Sequence, residues 1–191
     1  MYYISKLSGG SMKKELRINV IVSIVETLRQ REIELGKVQF QKLIYFLQEI
    51  GIPLGYRYEI YHYGPYSFEL AQELNTLDTL GIVNVAPDPT GYGYGIMPGK
   101  HIGDFYEIKD VDVIEPYKKK IDFVLDHLGK DSSSRIELKA TIHYVNKVMG
   151  KINHAVTIDS ILSRVKDLKP KFNEPFLSEC YKELQDLKLL N

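Results

Sequence analysis

Apolar residues recur along this chain at helical spacing, and only two short stretches break the pattern. Ile18, Ile21, Val25 and Leu28 form one stripe, and Phe40, Leu43, Ile44 and Leu47 form a second after Gly36. This is the i, i+3, i+4, i+7 repeat that lines one face of an amphipathic helix. A chain patterned in this way packs helix on helix, and strands are confined to the breaks. The first break, Tyr56 to Tyr63, is aromatic and β-favouring and ends at Gly64-Pro65, which reads as a strand and then a turn. The second holds Ile82-Val83-Asn84-Val85 and Tyr92-Gly93-Tyr94-Gly95-Ile96 around a Pro87-Asp88-Pro89-Thr90-Gly91 turn, two strands around a loop.

Between the breaks, Ser67 is placed to cap a helix that carries Leu70, Ala71, Leu74 and Leu77, has Glu69 in its first turn and stops at Gly81. The order helix, helix, strand, helix and β-hairpin matches a winged helix-turn-helix whose first strand is displaced toward the third helix. An α+β domain with a two- or three-stranded sheet shares that order and remains an alternative at this point.

Beyond Pro116, Ile121, Val124, Leu125 and Leu128 set a further helix, and Gly129 with Asp131-Ser132-Ser133-Ser134 reads as a connection. Ser134 with Glu137 three residues on has the form of a capping box ahead of Leu138, Ile142, Val145 and Met149. Thr157 caps a helix through Ile161 and Val165 that must end near Lys169-Pro170, because a residue before proline avoids the helical region. Asn173 starts a last helix that buries Leu177, Cys180, Tyr181, Leu184 and Leu187. The predicted class is α+β, mostly helical. A winged-helix-like module with a small β-hairpin spans 13–104, and a helical, wingless helix-turn-helix-like module spans 105–191. Residues 1–12, with Ser8-Gly9-Gly10-Ser11 ahead of Met12, read as a tag-like or disordered N-terminus.

Cys180 is the lone cysteine, so no internal disulfide forms, and a reducing compartment is expected. The longest apolar run, Val20 to Val25, falls far short of the roughly 20 residues that span a bilayer, and no leader precedes it, so a cytoplasmic protein without a membrane segment is expected. Cations and anions balance at 25 each, and a cut after Lys100 leaves both halves neutral. Neutral halves argue against tight nucleic-acid binding, which needs an excess of positive charge.

Val38-Gln39-Phe40-Gln41-Lys42-Leu43-Ile44-Tyr45-Phe46-Leu47, then Tyr61-His62-Tyr63-Gly64-Pro65-Tyr66-Ser67, resembles the YwgA-like family of uncharacterised prokaryotic proteins. The run Arg135 to Val145 and Leu168-Lys169-Pro170-Lys171-Phe172 resemble the second half of the same pattern. The chain is also distantly similar to the Panacea domain of SocA-like antitoxins. The resemblance implies a compact regulatory or interaction protein, antitoxin-like in the Panacea case, with no catalytic residues to carry over.

His62, His101, His127, His143 and His154 fall on different predicted elements without ligand spacing, and no nucleophile elbow or phosphate-binding loop is present. Cys180 lies on an apolar stripe and reads as a small buried hydrophobe. No catalytic residue, metal site or cofactor is therefore predicted, and the expected role is non-enzymatic.

The exposed face of the third helix, Glu69, Gln72, Glu73, Asn75, Thr76 and Asp78, is acidic and unsuited to the major groove. Positive charge collects at Lys118-Lys119-Lys120, at Lys13, Lys14 and Arg17, and at Lys166, Lys169 and Lys171, the last group being the candidate nucleic-acid contact. His62, Tyr63, Tyr66 and Ser67 are the candidate partner or anion site. In one reading Tyr63 and Tyr66 pack across the first module's core; in the other His62, Tyr63 and Ser67 ring the positive end of the third helix, where free N–H groups hold an anion. A protein partner is favoured over weak DNA binding, in either case with a homodimer as one expected form.

Overall fold

The computed structural model describes residues 12–88, 93–108, 111–152 and 156–190. The expectation for the N-terminus falls almost wholly outside them, as do His154 and part of the turn at 87–91. The protein is a mostly helical α+β structure with two small antiparallel hairpins among the described residues. Its chain divides into two compact units, Met1–Tyr58 with Ser67–Lys130, and Glu59–Tyr66 with Asp131–Asn191. The expected boundary at 104/105 lies inside the first unit.

In the first unit, α1 (Met12–Gln30) and α2 (Lys37–Glu49) are the central helices. Their stripes are wider than amphipathicity requires: every residue from Gln39 to Leu47 is buried, Gln39, Gln41 and Lys42 included. α3 (Phe68–Thr79) follows, with Ser67 Oγ accepting from Leu70 N at 3.3 Å as its cap. Strands β3 (Val83–Pro87) and β4 (Tyr94–Pro98) pair in register Val83↔Pro98 to Pro87↔Tyr94. The other edge of β4 meets the connection between α1 and α2, where Ile96 N donates to Leu35 O at 2.8 Å and Gly36 bridges Gly95. A short α4 (Ile102–Ile108) and a 3-10 turn (Val111–Tyr117) containing Pro116, neither of them predicted, lead into α5 (Lys118–Leu128).

The second unit centres on α6 (Ser133–Ile152), buried throughout from Ile136 to His143. α7 (Ile158–Leu168) and α8 (Glu174–Asp186) pack on it, and so does the second strand of a hairpin drawn from far earlier in the chain, β1 (Glu59–Tyr61) and β2 (Gly64–Tyr66). The caps of α7 and α8 are the predicted ones. Thr157 forms a reciprocal box with Ser160, and Asn173 Oδ1 accepts from Phe176 N at 2.9 Å, with Pro175 in the first turn.

Two local expectations are corrected. Gly64-Pro65 is not the turn; the chain reverses at His62 and Tyr63, and Gly64 opens β2 with φ +82, a left-handed conformation in which a side chain would be strained. The paired strands thus replace the single displaced strand, and they belong to the second unit. The cap of α6 is not Ser134 but Ser132, whose Oγ accepts from Arg135 N at 3.2 Å and whose carbonyl accepts from Ile136 N. Glu137 has turned inward to bind lysines.

Candidate functional site

Hairpin β1–β2 is set on the second unit by a buried ionic node. Glu137, on the fully buried stretch of α6, is 2% exposed. A lone carboxylate there would be costly, and two ammonium groups answer it: Lys169 Nζ lies 2.7 Å from Oε1 and Lys171 Nζ 2.9 Å from Oε2. Lys169, itself 4% exposed, also donates to the carbonyl of His62 at 2.5 Å, at the hairpin's turn. The strain of burying Lys169 is thus met by one anion and one backbone acceptor, and the turn is tied from beneath.

The other face of the turn is open. Tyr61 is 46% exposed and Tyr63 56%, the His62 ring sits 4.3 Å from Tyr61, and Tyr66 lies 5.6 Å from Tyr61. Burial, and then the neighbouring Tyr61, raise the Tyr66 hydroxyl above its ordinary value. Lys171 places its ammonium 5.6 Å from the Tyr63 ring centroid, within cation–π reach.

This geometry redistributes the predicted site residues. His62, Tyr63 and Tyr66 stand together in the second unit, so Tyr63 and Tyr66 do not form the core of the first module. Ser67 belongs to the first unit and is fully buried, its hydroxyl spent on the cap and its backbone N–H and C=O held by the Gln41 amide at 3.0 and 3.1 Å. Lys166, Lys169 and Lys171 do not form an open basic patch. Lys166 donates to the carbonyls of Pro170 (3.2 Å) and Phe172 (2.6 Å), and the other two serve Glu137.

The acidic helix α3 is likewise engaged. Asp78 Oδ1 accepts from Val85 N at 2.8 Å, which ties the helix to β3, and Glu73 accepts a hydrogen bond from the Tyr56 hydroxyl. Arg17 donates to Leu54 O at 2.6 Å and Gly55 O at 2.9 Å, lies 4.1 Å from the centre of the Tyr56 ring, and approaches Glu69 at 3.6 Å. Around these groups opens a polar cleft of about 610 Å³, with Lys13, Lys14 and Arg57 at one side and Gln72 and Thr76 at the other. This cleft is not legible in the sequence because its basic and acidic members lie some 55 residues apart on separate elements; the clustering of Lys13, Lys14 and Arg17 is its visible signal.

A second ionic cluster joins α6 to α8. Lys139, 3% exposed, pairs with Asp131 and Glu183 at 2.7 Å each, and Arg135 pairs with Glu179 at 2.9 Å and with Glu183. Cys180 beside them is buried, and burial pushes its thiol up to about 12, so it stays a neutral packing group. Among the described residues, no three His, Cys, Asp or Glu side chains gather as a metal site, and no helix is long and apolar enough to cross a membrane.

No family model matches the chain. A protein of Bacillus subtilis (strain 168), uncharacterized protein YwgA, is 26% identical over 158 residues, which cover 81% of this chain and 87% of that protein. An alignment of that length is longer than either unit, so the likeness extends across both.

Proposed function

We propose that this protein is a non-enzymatic interaction module of the YwgA-like kind, regulatory and antitoxin-like or defence-associated, that recognises a protein partner through the tip of hairpin β1–β2. The observation that carries the reading is the contrast across the turn: Tyr61 and Tyr63 face solvent, while the backbone behind them is tied by Lys169 and Glu137. Tyrosines are enriched where binding energy concentrates, and a tip already held in place loses little entropy when a partner arrives. The test compares the full chain with a Tyr61→Ala, Tyr63→Ala variant against extracts of the source organism; captured proteins are identified, purified and titrated. Binding weakened roughly tenfold or more in the variant, with an unchanged melting temperature, is expected. A purified partner that binds both forms alike would remove the hairpin from the reading.

Weak DNA binding is the second reading, favoured by one observation. The edge at Leu35 and Gly36 beside β4 lies between the first two helices, so the first unit supports a winged-helix description without the displaced strand. The acidic face of α3 and the engaged lysines favour the protein partner. Titration with promoter and random duplexes at two salt concentrations separates the two. Tight, sequence-specific binding lost on Gln72→Ala or Asn75→Ala would replace the protein reading with the DNA reading.

A further inference from the structure

We propose that the polar cleft between α1 and α3 binds a small phosphorylated molecule. The cleft lies wholly in the first unit, and the inference stands apart from the hairpin reading. Its volume, about 610 Å³, is that of a small-molecule site. Four cations, Lys13, Lys14, Arg17 and Arg57, face two carboxylates, Glu69 and Glu73, so the walls carry a surplus of two positive charges. A phosphate monoester carries roughly −1.5 to −2 at neutral pH and matches that surplus.

The use each cation makes of its surroundings sharpens the assignment. Arg17 is committed to two carbonyls and to Glu69, and it holds the wall in place. Lys13, Lys14 and Arg57 form no hydrogen bond or ion pair among the described residues, whereas Lys139, Lys166, Lys169 and Lys171 are all satisfied within the protein. Lys13 and Lys14 lie in the first turn of α1, together with Glu15. Gly55, with φ +66, follows a path disfavoured for other residues, and the end of the Lys13 side chain lies over it. Opposite the cations, Gln72 and Thr76 offer polar contacts to the body of the ligand.

Polar walls and concavity favour a small anion over a protein surface, since interface centres are depleted of lysine and glutamate. Arg57 supplies a forked donor suited to phosphate oxygens, and the lysines act as point charges beside it.

Calorimetric titration of the full chain with inorganic pyrophosphate and with ADP, at matched ionic strength, tests the assignment. Saturable binding of at least one probe is expected, weakened roughly tenfold by Lys14→Ala or by Arg57→Ala and more by both. Lys182→Ala, on the exposed side of α8, leaves it unchanged, and melting curves confirm that all variants fold. Tighter binding of ADP than of pyrophosphate assigns the ligand's organic body to the cleft as well, whereas equal binding assigns phosphate recognition alone; both support the proposal. It is overturned if neither probe saturates, if binding survives the double substitution, or if a DNA duplex binds through Lys14 and Arg57 more tightly than either probe. None of these results touches Tyr61 and Tyr63, so this inference and the hairpin reading fail separately.

Discussion

Glu137 is the buried carboxylate of the second unit's hairpin node: two cations depend on it, and one of them is buried as well. Glu137→Gln leaves Lys169 with the His62 carbonyl and no counter-charge. Breaking one side of a buried pair costs about 3–5 kcal/mol, and urea unfolding at neutral pH is expected to show a loss of that order. Glu73 makes a prediction of different sign. Burial pushes its carboxyl above the ordinary value, and the Tyr56 hydrogen bond with the Arg17 and Lys14 charges pulls it only part of the way back, against Glu69. A carboxyl raised on folding stabilises the folded state in its protonated form. That contribution is complete below the unfolded value near 4.5 and is lost as pH rises through the folded one. Glu73→Gln keeps an acceptor for Tyr56 without the buried charge, so its melting temperature is expected to gain on the parent as pH rises from about 4 to 8. Glu183 behaves oppositely. Burial raises it, but the hydrogen bonds and charges of Lys139 and Arg135 prevail and hold it below the ordinary value. Its stabilisation is present above about 4.5 and fades on acidification, so Glu183→Gln is expected to cost stability at neutral pH and progressively less in acid.

Among the helices, caps were the most legible feature of the sequence, and α6 shows their limit. Ser132, Ser133 and Ser134 all suit an N-cap, and Glu137 three residues beyond Ser134 favoured the wrong one. The box needed Glu137 to reach back to the backbone, whereas tertiary packing claimed it for Lys169 and Lys171. Ser132→Ala is therefore expected to destabilise the second unit by about 1 kcal/mol, and Ser134→Ala to stay within about 0.5 kcal/mol, as read by hydrogen exchange along α6. The hairpin was half legible. Its aromatic residues announced a strand, but Gly64-Pro65 carries the composition of a turn. Pro65 fits the strand because it faces Ile60, one step from the closing pair Tyr61↔Gly64, and the alternation of an antiparallel ladder asks for no N–H there. Nothing local distinguishes that arrangement from a turn. The cleft beside α3 was illegible for the same reason of distance: the Lys14 charge acts on Glu73 only because the fold brings their helices together.

Across the molecule, the chain passes between its units after Tyr58, after Tyr66 and after Lys130, and one helix holds a point close to each passage. On α2, Gln48 clasps the backbone N–H and C=O of Tyr56, Gln41 those of Ser67, and Gln39 donates to the carbonyl of Gly129. Gln41 and Gln48 are seven residues apart, two turns, and so share a face. The glutamines at 39, 41 and 48 were visible in the sequence; what they hold was not. Gln41→Leu leaves the buried Ser67 N–H without its acceptor and is expected to cost about 1–3 kcal/mol in chemical denaturation. The divided path also predicts that 131–191 does not fold by itself. Expressed alone it lacks β1–β2 and is expected to show no cooperative thermal transition by circular dichroism; a sharp transition would show that the hairpin is dispensable to that unit. The bond from Lys169 to the His62 carbonyl joins residues 107 positions apart. At roughly 5–20 residues per second on the ribosome, the hairpin emerges about 5–20 s before the lysine that secures it. A two-stranded hairpin is marginal by itself, so each newly made copy carries its tyrosine-rich tip unanchored through that interval, open to chaperones and to neighbouring nascent chains before its own anchor has been translated.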